Sequence, residues 1–274
     1  MIVDWDDAYA NAPHIPGGEG YLAMWEAAAA AFRAGLPEGR MRAGIAYGPH
    51  PRQAIDLFLP EGRPRGLVVF VHGGYWRAFD RGLWSHFAGG PLARGWAVAM
   101  PGYVLAPEAR IAEITGMIAR AIAVAAAEVD GPLRLSGHSA GGHLVCRQAC
   151  DDSRLPPAVA ARVERVVSIS GVHDLRPMLR LALNATLQLD AAEAASESPV
   201  LRTPEAGARV HAWVGDAERP EFVRQATLIA NIWTGLGADM AQTIEPRRNH
   251  FTILEGLTDP GSGLVEAIVG EGWP

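Results

Sequence analysis

Ser139 stands between two glycines in Gly137-His138-Ser139-Ala140-Gly141. This G-x-S-x-G spacing suits a serine at the tip of a sharp strand-to-helix turn. Its chemistry would be nucleophilic attack on an acyl carbon. Such a turn is strained, so the neighbours must be small. Gly137 and Gly141 let the backbone pass close without a Cβ clash. A helix that starts at the nucleophile points free N–H groups and a positive dipole end at any oxyanion beside it. The apolar residues before Gly137 and the run His143 to Cys150 supply the strand and the helix.

A serine hydroxyl is a weak nucleophile near neutral pH and needs an adjacent base. The base is normally a histidine whose tautomer a carboxylate fixes. Where the serine sits on such an elbow, acid and histidine follow it in that order along the chain. Of the nine histidines, only His211 and His250 lie well beyond Ser139. His211 falls inside an expected strand, whereas His250 follows the last one, so His250 is the candidate base. Asp216, in Val214-Gly215-Asp216 at a strand end, is the candidate acid. Asp174 is the alternative, although it also suits a helix N-cap before Leu175. Asp239 opens the last strand at the wrong end.

Developing negative charge on the attacked carbonyl needs backbone donors. Gly73 and Gly74 follow an apolar strand in His72-Gly73-Gly74-Tyr75-Trp76, and the amide of Ala140 follows the nucleophile. Gly73, Gly74 and Ala140 are the expected oxyanion donors, each worth about 3 kcal/mol of barrier. Tyr75 and Trp76 come next and are the candidate substrate-binding residues. His72 is expected to shape this loop, His138 to pack at the elbow and His143 to bond on the helix face. Tyr21 and Trp25 could add to an aromatic pocket, but read more simply as core.

Eight strands can be placed around these residues: Arg42–Tyr47, Gln53–Leu59, Gly66–Val71, Trp96–Met100, the elbow strand from Leu133, Val163–Ser170, Arg209–Val214 and Met240–Ile244. Helices are expected over Tyr21–Ala34, Gly82–Arg94, Glu108–Val129, Leu175–Leu189, Pro220–Leu236 and Gly263–Val269, with 1–20 an irregular arm. The continuous apolar runs suit strands buried on both faces. Their alternation with helices predicts an α/β fold: a mostly parallel central sheet with helices on both faces, in which functional groups gather beyond the carboxyl ends of the strands. The 274 residues then form one domain, with 1–40 an N-terminal arm and helix and 173–204 a small lid.

Composition narrows the function. A net charge of −6 argues against nucleic acid or an anionic membrane as partner. All 24 basic residues are arginine, so a Walker-type phosphate loop and a Schiff-base lysine are excluded. No metal site has ligand spacing, and no cofactor is expected. Cys146 and Cys150, one helical turn apart, read as reduced thiols of a cytoplasmic protein. The expected partner is a small-molecule acyl or formyl substrate. Oligomeric state is not legible.

From about Gln53 onward the chain resembles the α/β-hydrolase fold. His72-Gly73-Gly74-Tyr75-Trp76 resembles the H-G-G-x-W motif of kynurenine formamidases (arylformamidases) and their esterase relatives. Gly102-Tyr103-Val104-Leu105-Ala106-Pro107-Glu108 is similar to a segment of the hormone-sensitive-lipase-like esterases. Val214-Gly215-Asp216, Pro220-Glu221-Phe222, Arg224-Gln225 and His250-Phe251 also look formamidase-like. The resemblance implies a serine hydrolase with Ser139, Asp216 and His250 as triad and Gly73, Gly74 and Ala140 as oxyanion donors. Trp76 would line the pocket. A short-chain carboxylesterase is the alternative, and a silent ligand-binding member of the fold a further one.

Overall fold

A computed structural model describes residues 2–273. Its sheet has eight strands: β1 (Met41–Ala46), β2 (Ala54–Phe58), β3 (Leu67–Val71), β4 (Ala97–Pro101), β5 (Leu133–His138), β6 (Val163–Ile169), β7 (Arg209–Gly215) and β8 (Asp239–Glu245). Their spatial order is β1-β2-β4-β3-β5-β6-β7-β8. β2 runs antiparallel to β1 and β4, and every other pairing is parallel. This is the α/β-hydrolase architecture expected from the sequence.

Period-2 alternation sorts each central strand between two cores. In β3, Leu67, Val69 and Val71 join one cluster, with Ile114, Ile118, Leu144, Phe222 and Ile229 of the helices on that face. Val68 and Phe70 join the other, with Trp25, Trp84, Phe87, Leu254 and Ile268. Burial on both faces explains why β3 and β4 read as unbroken apolar runs.

The expected helix over Leu175–Leu189 is not continuous. A 3-10 turn at Arg176–Arg180 gives way to extended backbone at Leu181, and only Asn184–Leu187 is α-helical beyond it. Leu175, Met178, Leu181, Leu187 and Leu189 are all buried nonetheless. Their spacing reports burial of an irregular segment, not helical periodicity.

The expected lid at 173–204 is corrected as well. This segment braces the nucleophile helix, Ala140–Arg147, from the side. His143 Nε2 meets the Glu197 carbonyl at 2.7 Å, Arg147 Nε donates to Glu197 Oε2 at 3.1 Å, and Trp233 Nε1 donates to the Pro199 carbonyl at 3.0 Å. Glu197 is buried in these bonds, and the buried Ser198 hydroxyl beside it accepts from the Leu175 amide at 2.8 Å and donates to the Ala194 carbonyl at 2.6 Å, so the segment is a foundation.

The N-terminal arm forms the roof instead. Asp6 accepts from the Ala182 amide at 2.8 Å, and Asp7 pairs with Arg219 at 2.5 Å. The Tyr9 hydroxyl donates to Glu221 at 2.8 Å and accepts from Gln225 at 3.0 Å, while the Tyr75 hydroxyl donates to the Tyr9 carbonyl. The helix that follows, Tyr21–Gly35, packs Trp25 against Trp84, Phe87 and Phe251 at ring separations of 5.3, 6.0 and 5.3 Å.

Candidate active site

β5 ends at His138, and Ser139 turns the chain into the Ala140–Arg147 helix with φ 57° and ψ −117°. A positive φ at a non-glycine residue is strained and persists only where the surroundings enforce it. The enforcement is close packing. A Cβ on Gly141 would stand 1.9 Å from the Val71 carbonyl oxygen, and one on Gly137 2.3 Å from the Gly141 oxygen. The Ser139 amide continues the ladder by donating to Ile169 at 2.8 Å.

β3 delivers the second loop beside the first. His72 is buried and stacks on Tyr103 at 4.4 Å. Its Nδ1 donates to the Gly73 carbonyl at 2.7 Å, and burial lowers its pKa to about 4, so it is neutral. A Cβ on Gly73 would stand 3.0 Å from Ser139 Cβ. Gly74, Tyr75 and Trp76 all have positive φ (112°, 50° and 56°), concentrating strain where the loop passes the elbow. The amides of Gly73, Gly74 and Ala140 donate to no other backbone group among the described residues.

His250 arrives on the loop after β8 and is 4 % exposed. Its Nδ1 lies 2.6 Å from Oε2 of Glu218, whose side chain is fully buried. The other oxygen of Glu218 accepts from the Gly215 amide at 2.9 Å and from the Ser170 hydroxyl at 2.5 Å. His138 Nε2 donates to the His250 carbonyl at 2.9 Å, and its ring lies 4.5 Å from that of His250. Burial, reinforced by His250, holds the His138 pKa well below the usual histidine value, so it acts as a neutral clamp.

Ser139 and His250 open into a cavity of about 370 Å³, walled by Tyr9, Tyr21, Trp25, Tyr75, Trp84 and Phe251 among others. Asn11 and His250 are shared with a second, polar cleft of about 250 Å³ that Glu218, Arg219 and His14 also line.

No family model matches the chain. A crystal structure from Silicibacter sp., provisionally described as a thioesterase, is 49% identical, covers 97% of this chain and 98% of its own, and superposes with a TM-score of 0.90. The kynurenine formamidase of Danio rerio is 26% identical over 235 residues, 82% of this chain and 80% of its own. An esterase of Pyrobaculum calidifontis shares the fold at 17% identity and a TM-score of 0.67, covering 88% of this chain and 90% of its own.

The chain belongs to a kynurenine formamidase-like family of α/β-hydrolases.

It is a hydrolase of the serine type. Within this site, two expected residues stand elsewhere. Asp216 does not face His250. Its amide extends the β7–β8 ladder to Glu245, and its exposed side chain accepts from the Arg247 amide at 2.6 Å, holding a residue with φ 62°. Two residues further on, the longer Glu218 reaches back under Gly215 to His250. Both carboxylates follow the same strand. The sequence signal that favours the second is its place one residue before Arg219-Pro220, where the Pro220–Gly235 helix begins and the chain turns inward. Asp174 is paired with Arg176 at 2.8 Å and also makes no contact with His250.

Trp76 is the other correction. It is fully buried away from the cavity and packs edge-on against His143 at 5.2 Å. Its carbonyl accepts from Ala106, so it pins the Gly73–Gly74 loop from behind. Tyr75 does line the cavity, and the aromatic wall comes from Tyr21 and Trp25 of the helix that follows the arm together with Trp84 and Phe251. Cys146 and Cys150 are free and buried.

Proposed function

We propose that the chain hydrolyses small acyl or formyl amides and esters on an aromatic leaving group, aryl formamides such as N-formylkynurenine foremost, through a Ser139–His250–Glu218 triad. The observation that carries this reading is the buried 2.6 Å His250–Glu218 pair placed with Ser139 at an aromatic-walled cavity. Ser139 Oγ forms a bond to the carbonyl carbon as its proton passes to His250 Nε2. Glu218 holds the Nδ1–H tautomer and stabilises the imidazolium. The amides of Gly73, Gly74 and Ala140 receive the oxyanion. Collapse breaks the bond to the leaving group, which takes the proton from His250. Water, deprotonated by the same histidine, then releases the acyl group as a carboxylic acid.

Substrate size follows from the cavity. About 370 Å³ is at the small end of ligand sites and suits one substituted ring more than a long acyl chain. The relatives named kynurenine formamidase support the formyl reading, and a short-chain carboxylesterase is the alternative. A panel of N-formylkynurenine, short and long 4-nitrophenyl esters and simple amides separates them by kcat/KM. Highest kcat/KM on N-formylkynurenine is the expected result. Preference for octanoyl over acetyl esters, with no cleavage of N-formylkynurenine, would refute it.

A further inference from the structure

We propose that Ser170 is a positioning residue for the acid Glu218: its hydroxyl fixes the carboxylate so that Oε2 meets His250. This deepens the triad reading of the Ser139 site and rests on it. Ser170 follows β6 directly, is fully buried, and donates its hydroxyl to Glu218 Oε1 at 2.5 Å. That bond is the only one the hydroxyl makes among the described residues. The Ser170 backbone has φ 51°, which strains a serine and suits a glycine. A strained residue kept where glycine would relax points to a role for its side chain.

Glu218 needs such an anchor because of its length. A glutamate has one more rotatable bond than an aspartate and loses much rotamer freedom when it is held. Here the side chain must also turn back to the Gly215 amide, which donates to Oε1 from the end of β7 at 2.9 Å. One bond alone would leave the carboxylate free to swing about it. A second donor from the neighbouring strand fixes its plane, and Oε2 then lies 2.6 Å from His250 Nδ1. The Ser170 amide donates to the Trp213 carbonyl at 2.7 Å, which registers the hydroxyl against β7. Ile169, one residue earlier, accepts from the Ser139 amide at 2.8 Å. Two successive residues at the end of β6 therefore hold the nucleophile and the acid, and one stretch of backbone sets their separation. A carboxylate that swings lets the imidazole turn, which slows proton transfer from Ser139 without weakening substrate binding.

The test measures kcat and KM on 4-nitrophenyl acetate for native enzyme, Ser170→Ala, Ser170→Gly, Glu218→Ala and the Ser170→Ala/Glu218→Ala double variant, with thermal melting to establish folding. Both Ser170 variants lack the hydroxyl, but only glycine accepts the positive φ and should melt higher. Both are expected to lose about 10- to 100-fold in kcat, the worth of a hydrogen bond to a buried charge, with KM within about twofold of native. Added to Glu218→Ala, Ser170→Ala should change kcat by less than about twofold, because its effect runs through the carboxylate. Native kcat in Ser170→Ala beside an inactive Glu218→Ala would overturn the proposal and leave the triad standing. So would the same loss with and without Glu218, or activity restored by glycine alone, since either marks a purely structural role. A Glu218→Ala variant as active as native enzyme removes both the proposal and the triad reading beneath it.

Discussion

Replacing Glu218 by glutamine tests which carboxylate serves His250, and the structure dictates how the variant should fail. One carboxylate oxygen of Glu218 accepts from the Gly215 amide and the Ser170 hydroxyl, the other from His250 Nδ1. In a glutamine, the oxygen must keep the side that faces two donors. The NH₂ is then left pointing at Nδ1, which must accept instead of donate. The imidazole proton moves to Nε2, where it blocks acceptance of the Ser139 proton. A wrong tautomer with intact geometry costs about 10⁴-fold in kcat, or about 5.5 kcal/mol of barrier. The assay is steady-state hydrolysis of 4-nitrophenyl acetate by native enzyme, Glu218→Gln and Asp216→Asn, with thermal melts to show that all three are folded. Asp216→Asn should stay within about twofold of native, because it alters an exposed turn and retains an acceptor for Arg247. A dead Asp216→Asn beside an active Glu218→Gln would refute the assignment.

Trp76→Ala should lower stability by about 3–5 kcal/mol through cavity formation, measured by urea unfolding, whereas Trp25→Ala should raise KM for aryl substrates more than for acetyl esters of simple alcohols; the reverse pattern would return Trp76 to the cavity wall. Acid should destabilise the fold early. Burial lowers the pKa of His72, His86, His143 and His211 to about 4 and of His173 to about 3, from 6.5. These groups stay neutral in the folded chain while the unfolded chain binds protons, so their contribution is complete above about pH 6.5 and lost as pH falls toward 4 and below. Urea midpoints should therefore drop steeply between pH 6.5 and 4, and a flat profile there would contradict the burial of neutral histidines.

The central strands were legible because burial on both faces favours apolar residues, and all eight strands lie within a residue or two of where the sequence pattern puts them. Ser139 and the Gly73–Gly74 loop were legible because strained turns restrict residue type strongly. Glu218 was hidden by chain geometry. Asp216 and Glu218 leave the same strand, and only the path of the turn decides which one reaches His250. Trp76 misleads for a similar reason. Adjacent residues after the glycines point to opposite sides, so Tyr75 meets the cavity and Trp76 the core. The roof was illegible because the arm docks through single long-range contacts, such as Tyr9 to Glu221, that leave no local pattern.

Covalent labelling reaches the central assignment most directly. Native protein, Ser139→Ala and His250→Ala are treated with a fluorophosphonate, digested, and the modified peptide is located by mass spectrometry. The expected result is one modified site, Ser139, in native protein, none in folded Ser139→Ala, and much slower modification in His250→Ala. Modification at a different serine, or an unmodified Ser139 in protein that still hydrolyses 4-nitrophenyl acetate, would contradict it.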